Sequence, residues 1–129
     1  MSEAALTIHV VDDDDDVRSA FNRLLRSAGL DVRAYESAQN FLDEVDSSVP
    51  GCILLDVTMP GITGPEVLAQ LRERNNSLPV IVVSARDTEA THSLVRALGA
   101  KMFLRKPVDD QALLDAIRWI TQPRGSSSR

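Results

Sequence analysis

Three short apolar runs constrain this chain more than any other feature: Leu6–Val11 (LTIHVV), Cys52–Leu55 (CILL) and Pro79–Val83 (PVIVV). Each is too short for an ordinary helix, and each stops abruptly at a polar group: Asp12, Asp56 and Ser84. A strand that is apolar on both faces must be covered on both faces, the condition met inside parallel sheets.

The segments between the runs supply that cover. From Val17, apolar residues recur at Ala20, Phe21, Leu24, Leu25 and Ala28, which is helical spacing, and Gly29 follows where such a helix would close. Asp14 to Asp16 lie at its start, where negative charge suits the helix dipole. Leu30 to Tyr35 has mixed polarity and predicts a second strand nearer a sheet edge. Ser37 can cap a helix over Ala38 to Val45. Pro50-Gly51 marks a turn, Met59 to Gly64 a loop, and Pro65 suits the first turn of a helix over Glu66 to Arg74. A fourth helix is predicted over Thr88 to Leu98, ended by Gly99. A fifth strand follows over Lys101 to Arg105, then a last helix from Asp109 or Asp110 to about Ile120. Strands alternating with helices predict one doubly wound α/β sandwich with right-handed crossovers. The predicted domain spans 1–121, and 122–129 is expected to be a disordered tail or a linker stub.

Composition excludes several function classes. With 129 residues, 43% hydrophobic and 26% charged, the chain has the profile of one globular domain that needs no metal or disulfide staple. The single cysteine, Cys52, forbids an internal disulfide and fits a reducing, cytoplasmic setting. A net charge of −5 gives no reason to expect nucleic-acid or membrane binding. The first residues lack a basic segment and a long apolar core, so they do not read as a signal peptide, and no run is long enough to span a membrane.

In open α/β sheets, ligands sit beyond the carboxyl ends of the strands. There this chain carries Asp12 and Asp13, Asp56, Ser84 and, after strand five, Lys106-Pro107. If the strand order is 2-1-3-4-5, these groups converge on one crevice. Three carboxylates on adjacent strand ends repel one another and call for a cation. Their all-oxygen donor set suits a hard divalent ion, Mg²⁺ or Mn²⁺. A carboxylate beside such an ion, an ammonium and a hydroxyl is placed to attack a phosphoryl group, whose charge the ion and the lysine would neutralise.

Val10-Val-Asp-Asp13, Leu54-Leu-Asp56-Val-Thr-Met-Pro-Gly61, Val82-Val-Ser84-Ala85 and Arg105-Lys106-Pro107 resemble, in order and spacing, the four signatures of the response-regulator receiver family of two-component signalling. The resemblance covers residues 6 to 120. It implies a flavodoxin-like (βα)5 fold with a parallel five-stranded sheet of order 2-1-3-4-5. It implies that Asp56 is phosphorylated by a sensor histidine kinase or phosphotransfer protein, and that the domain catalyses its own phosphoryl transfer and slow autodephosphorylation. Asp12, Asp13, Asp56 and the Thr58 carbonyl would hold Mg²⁺. Ser84 and Lys106 would meet the phosphoryl oxygens, and the Lys106–Pro107 bond would be cis. Ser84 and Phe103 would act as the switch, repacking a face made by helix four, strand five and helix five, often used for homodimers. Residues 34 to 42 (AYESAQNFL) are most similar to the nitrogen-fixation and nitrate regulators, whose receivers often precede a DNA-binding output domain. The chain departs from that subgroup after Ser84, where Ala85-Arg-Asp-Thr-Glu replaces a Gly-His-Gly-type segment. Arg86 and Thr58 are expected to tune access of water to the site.

Other residues take plainer readings. Asp14, Asp15 and Asp16 read as a solvated helix start, Cys52 as a small buried hydrophobe and His9 as structural. His92 reads as exposed and Trp119 as packed. A haloacid-dehalogenase-like phosphatase would want an acid where Thr58 stands. A flavin carrier would want a hydroxyl- and glycine-rich phosphate loop where five aspartates stand. The remaining alternative is a degenerate receiver that serves only as a phosphorylation-independent binding module.

Overall fold

A computed structural model describes residues 6–46, 48–57, 64–86 and 88–121. The predicted tail, 122–129, lies outside them. The elements alternate as β1 (Thr7–Val11), α1 (Asp15–Ser27), β2 (Asp31–Tyr35), α2 (Ala38–Glu44), β3 (Gly51–Asp56), α3 (Gly64–Glu73), β4 (Val80–Ser84), α4 (Glu89–Ala97), β5 (Met102–Arg105) and α5 (Asp110–Ile120). All strand pairs are parallel and the order is β2-β1-β3-β4-β5. The chain therefore has the doubly wound flavodoxin-like architecture that its apolar runs predict.

Every residue of β1, β3 and β4 is buried, whereas β2 and β5 at the edges keep exposed positions. Alternate strand residues serve opposite faces. Val11, Ile53, Leu55, Val80 and Val82 pack against Phe41 of α2, Val67 and Leu68 of α3 and Val95 of α4. Ile8, Val10, Leu54, Ile81 and Val83 pack against Leu25 of α1 and Leu113 and Ile117 of α5. Burying each such side chain stabilises the fold by about 1.5–3 kcal/mol. α1 and α5 thus cover one face, and α2, α3 and α4 the other.

Local chemistry sets the ends. Asp14, Ser37, Thr88 and Asp109 N-cap their helices through side-chain oxygens. Gly29 and Gly99 take the chain out of α1 and α4 with φ of +87° and +105°, values that side chains resist.

Two expectations fail. Trp119 is 58% exposed, because α5 turns Leu113, Ala116, Ile117 and Ile120 inward and leaves position 119 outside. His92 is half-buried, because the ring of Phe103 on β5 stacks against it. No helix among the described residues is long and apolar enough to cross a membrane.

Candidate functional site

The carboxyl ends of β1 and β3 deliver Asp12 and Asp56 side by side, since Val11 is paired with Leu55 one residue earlier. Both acids are almost fully buried, at 2% and 3% exposure. Asp13 is exposed, yet one carboxylate oxygen from each of Asp12, Asp13 and Asp56 can be chosen so that all lie within 4.8 Å of one another. Lys106, directly after β5, reaches across the sheet. Its Nζ donates to Asp12 Oδ2 at 2.9 Å and to Asp56 Oδ2 at 3.4 Å. The Lys106 amide also donates to the Ser84 carbonyl at 2.9 Å, which ties the end of β5 to that of β4. The Lys106–Pro107 bond is cis.

The electrostatics follow from two buried acids sharing one ammonium. Burial raises the pKa of Asp12, and the charge of Asp56 adds to it. The amide of Asp14 and the ammonium of Lys106 pull the other way without restoring the usual value. Burial opposes the charge on Lys106, but its bond to Asp12 and the fields of both carboxylates more than offset that, so its pKa is raised. The all-oxygen, net-acidic donor set fits a hard divalent cation.

Asp12 is further fixed from α1. Its Oδ1 accepts from the Asp14 amide at 2.9 Å, and its carbonyl accepts from Arg18 Nη1 at 2.6 Å. Arg18 also pairs with Asp15. The sequence reading missed Arg18. The signal was present in the Asp15–Arg18 spacing of one helical turn, but the carbonyl that the guanidinium meets is visible only in three dimensions. Asp14 serves as the cap of α1, accepting from the amides of Asp16 and Val17, while Asp15 and Asp16 lie exposed in the first turn.

Ser84 is fully buried at the end of β4, and its Oγ accepts from the Arg86 amide at 3.0 Å. Arg86 itself is exposed. Phe103 lies opposite Val82, two residues back from the Ser84–Arg105 pair, with its ring 3.9 Å from that of His92, centroid to centroid. The structure thus brings Asp12, Asp13, Asp56 and Lys106 together and sets Ser84 on the neighbouring strand end. The two roles expected of Thr58, metal ligand and tuning residue, lie outside the described residues.

Comparison with known proteins gives this arrangement a family. The model of the response regulator receiver domain matches residues 8–118. The chain is 43% identical over 114 residues to the transcriptional regulatory protein FixJ of Azorhizobium caulinodans, covering 88% of this chain and 54% of that protein. It is 40% identical over 119 residues to the response regulator protein TodT of Pseudomonas putida, covering 92% and 52%. The chain therefore spans about half the length of the curated relatives it matches. Among solved structures, the response regulator StyR aligns with a TM-score of 0.85 at 39% identity, over 92% of this chain and 60% of that one. FixJ-N aligns with a TM-score of 0.80 at 29% identity, over 92% and 93%. Matches to FixJ in both comparisons support a FixJ-like subgroup. The strand ends that carry the acidic pair and its lysine bridge all lie within the span that the family model matches, and to that family, the response regulator receiver domains, the chain belongs.

Proposed function

We propose that Asp56 accepts a phosphoryl group from a sensor histidine kinase or a phosphotransfer protein, and that the resulting charge switches a surface used by an output domain or partner. The observation that carries this reading is the bridge from Lys106 to both Asp12 and Asp56, which places a fixed positive charge over a buried nucleophile.

A carboxylate oxygen of Asp56 attacks the phosphorus while the donor's P–N bond breaks. The imidazole of the donor leaves and takes a proton from solvent. Lys106 holds the phosphoryl oxygens, and its raised pKa keeps it charged for that task. Asp12, Asp13, Asp56 and the Thr58 carbonyl would hold Mg²⁺ or Mn²⁺. A bound cation supplies charge neutralisation for the acids and the incoming group. Water later hydrolyses the acyl phosphate, with Arg86 and Thr58 tuning its access.

Ser84 gives up the Arg86 amide and turns to the phosphoryl group, and Phe103 moves toward the space released. This biases an existing equilibrium rather than making a new fold. The face of α4, β5 and α5 is the regulated surface, and a homodimer is its expected use. The receiver unit is residues 1–121, working in the cytoplasm. Relatives that are transcriptional regulatory proteins support a role in transcription regulation, exerted through an output domain rather than by direct nucleic-acid binding here.

The test is incubation with acetyl phosphate and Mg²⁺, read by intact mass. A gain of one phosphoryl group, lost in Asp56→Ala, is expected. No gain, or an undiminished gain in the variant, overturns the reading.

A further inference from the structure

We propose that His92 is a clamp that holds Phe103 in its outward position and so sets the resting bias of the switch. The proposal rests on the reading of Asp56 as phosphoacceptor, and it concerns a positioning residue that acts through Phe103.

The two rings stack at 3.9 Å with their planes 27° apart. Aromatic pairs in proteins more often lie with centroids about 4.5–7 Å apart, so this is a close, face-on contact. α4 presents the imidazole from a fixed platform. Thr88 caps the helix, and the His92 amide donates to the Thr88 carbonyl at 3.0 Å. Val95, on the same face one turn later, is buried in the core. Phe103 itself is only half-buried and packs at the margin of that core. Beside the stack lies a small cavity of about 50 Å³, lined in part by His92, Val95 and Phe103. The phenyl ring is therefore held on one side by a partner ring and on another by incomplete packing.

Ser84 lies two residues further along the strands, roughly 6–7 Å in that direction, and is turned away toward the Arg86 amide. A Phe103 ring that moves toward Ser84 leaves the imidazole. The stack therefore exists in the resting arrangement and is surrendered in the other. A contact made in only one of two states biases the equilibrium between them by its own strength. A phosphoryl analogue that favours the other state then binds with an affinity scaled by the fraction of molecules already in that state.

The experiment titrates the whole chain with beryllofluoride and Mg²⁺, followed by backbone-amide NMR, in wild type, His92→Ala, His92→Leu and His92→Phe. His92→Ala and His92→Leu should bind beryllofluoride about three- to ten-fold more tightly, the range expected for loss of one aromatic pair. Without ligand, their amide shifts should already lie displaced along the line joining free and bound wild type. His92→Phe, which can stack, should return toward wild type. In a Phe103→Leu background, His92→Ala should change the affinity by less than about two-fold, because the ring it acts through is gone.

Unchanged or weaker binding in both His92→Ala and His92→Leu overturns the clamp. So does equal tightening in the Phe103→Leu background. The parent reading fails separately: wild type that binds no beryllofluoride, or binds it equally in Asp56→Ala, removes the phosphoacceptor and the clamp with it.

Discussion

Lys106 faces two carboxylates with one positive charge, Asp12 at 2.9 Å and Asp56 at 3.4 Å. That imbalance makes acid and base substitutions act in opposite directions. Asp12 has a raised pKa, burial being the main cause, so the unfolded chain ionises this group more readily than the folded one. Stability is then lost as pH rises through the raised folded value. Asp12→Asn leaves Lys106 paired with Asp56 and removes the surplus charge. In EDTA at pH 7, urea unfolding should show it more stable than wild type by about 1 kcal/mol, while Mg²⁺ affinity falls. Below the ordinary aspartate value of 3.8 the gain should vanish. Lys106→Ala should do the reverse and cost about 3–5 kcal/mol, since it leaves two buried acids without their cation. A loss of stability in Asp12→Asn at pH 7 would show that the bond to Lys106 outweighs the burial of charge.

At the scale of elements, α1 joins the fold to the site. Asp14 accepts from two amides of its first turn, and its own amide donates to Asp12 Oδ1. Asp14→Ala should destabilise the protein by about 1 kcal/mol, and Asp14→Ser should recover most of it. Phosphorylation by acetyl phosphate should persist in both, because the amide that orients Asp12 is retained. Loss of phosphorylation in Asp14→Ser would assign that side chain a direct part in the site. The acidic start of α1 was legible in the sequence, though not which aspartate caps it, as were the buried strands and the helix exits at Gly29 and Gly99, because each depends on residues within a few positions of one another. The strand-end residues were legible for a related reason: a continuous apolar run fixes where it ends. What depends on two elements meeting was not. Arg18 reads as one more charge on a polar helix face until the carbonyl of Asp12 stands beside it. His92 reads as exposed until β5 brings Phe103 under its ring. Trp119 reads as packed, and only the phase of α5 against the sheet places it outside.

At the scale of the whole molecule, the buried side chains that titrate report on opening of the sandwich. Cys52 is fully buried in β3, which pushes its thiol up to about 12. Labelling by a disulfide reagent at neutral pH should therefore proceed through unfolding and slow when beryllofluoride binds. Rapid labelling of the native protein would contradict that burial. His9 couples folding to pH on the acid side. It lies in the middle of β1 at 2% exposure, with Nδ1 3.0 Å from the Tyr35 hydroxyl and Nε2 without a hydrogen-bond partner among the described residues. Its ring stacks on Tyr35 and meets the edge of Phe41, so a proton on both ring nitrogens would leave Nε2 without an acceptor among the described residues. Burial lowers its pKa below 6.5, the charge of Arg33 lowers it further, and Asp46 only partly opposes them. The unfolded chain therefore takes up this proton first as pH falls below 6.5, and folding stability declines until the folded form is protonated as well. The decline from this one group cannot exceed about 1.4 kcal/mol per pH unit. A double variant, His9→Leu with Tyr35→Phe, removes the titrating group without stranding the tyrosine hydroxyl. Urea unfolding from pH 7.5 to 5 should then show a shallower loss than in wild type, the stability difference shifting in the variant's favour as pH falls. Curves that stay parallel over that range would mean that the His9 proton is accommodated within the core.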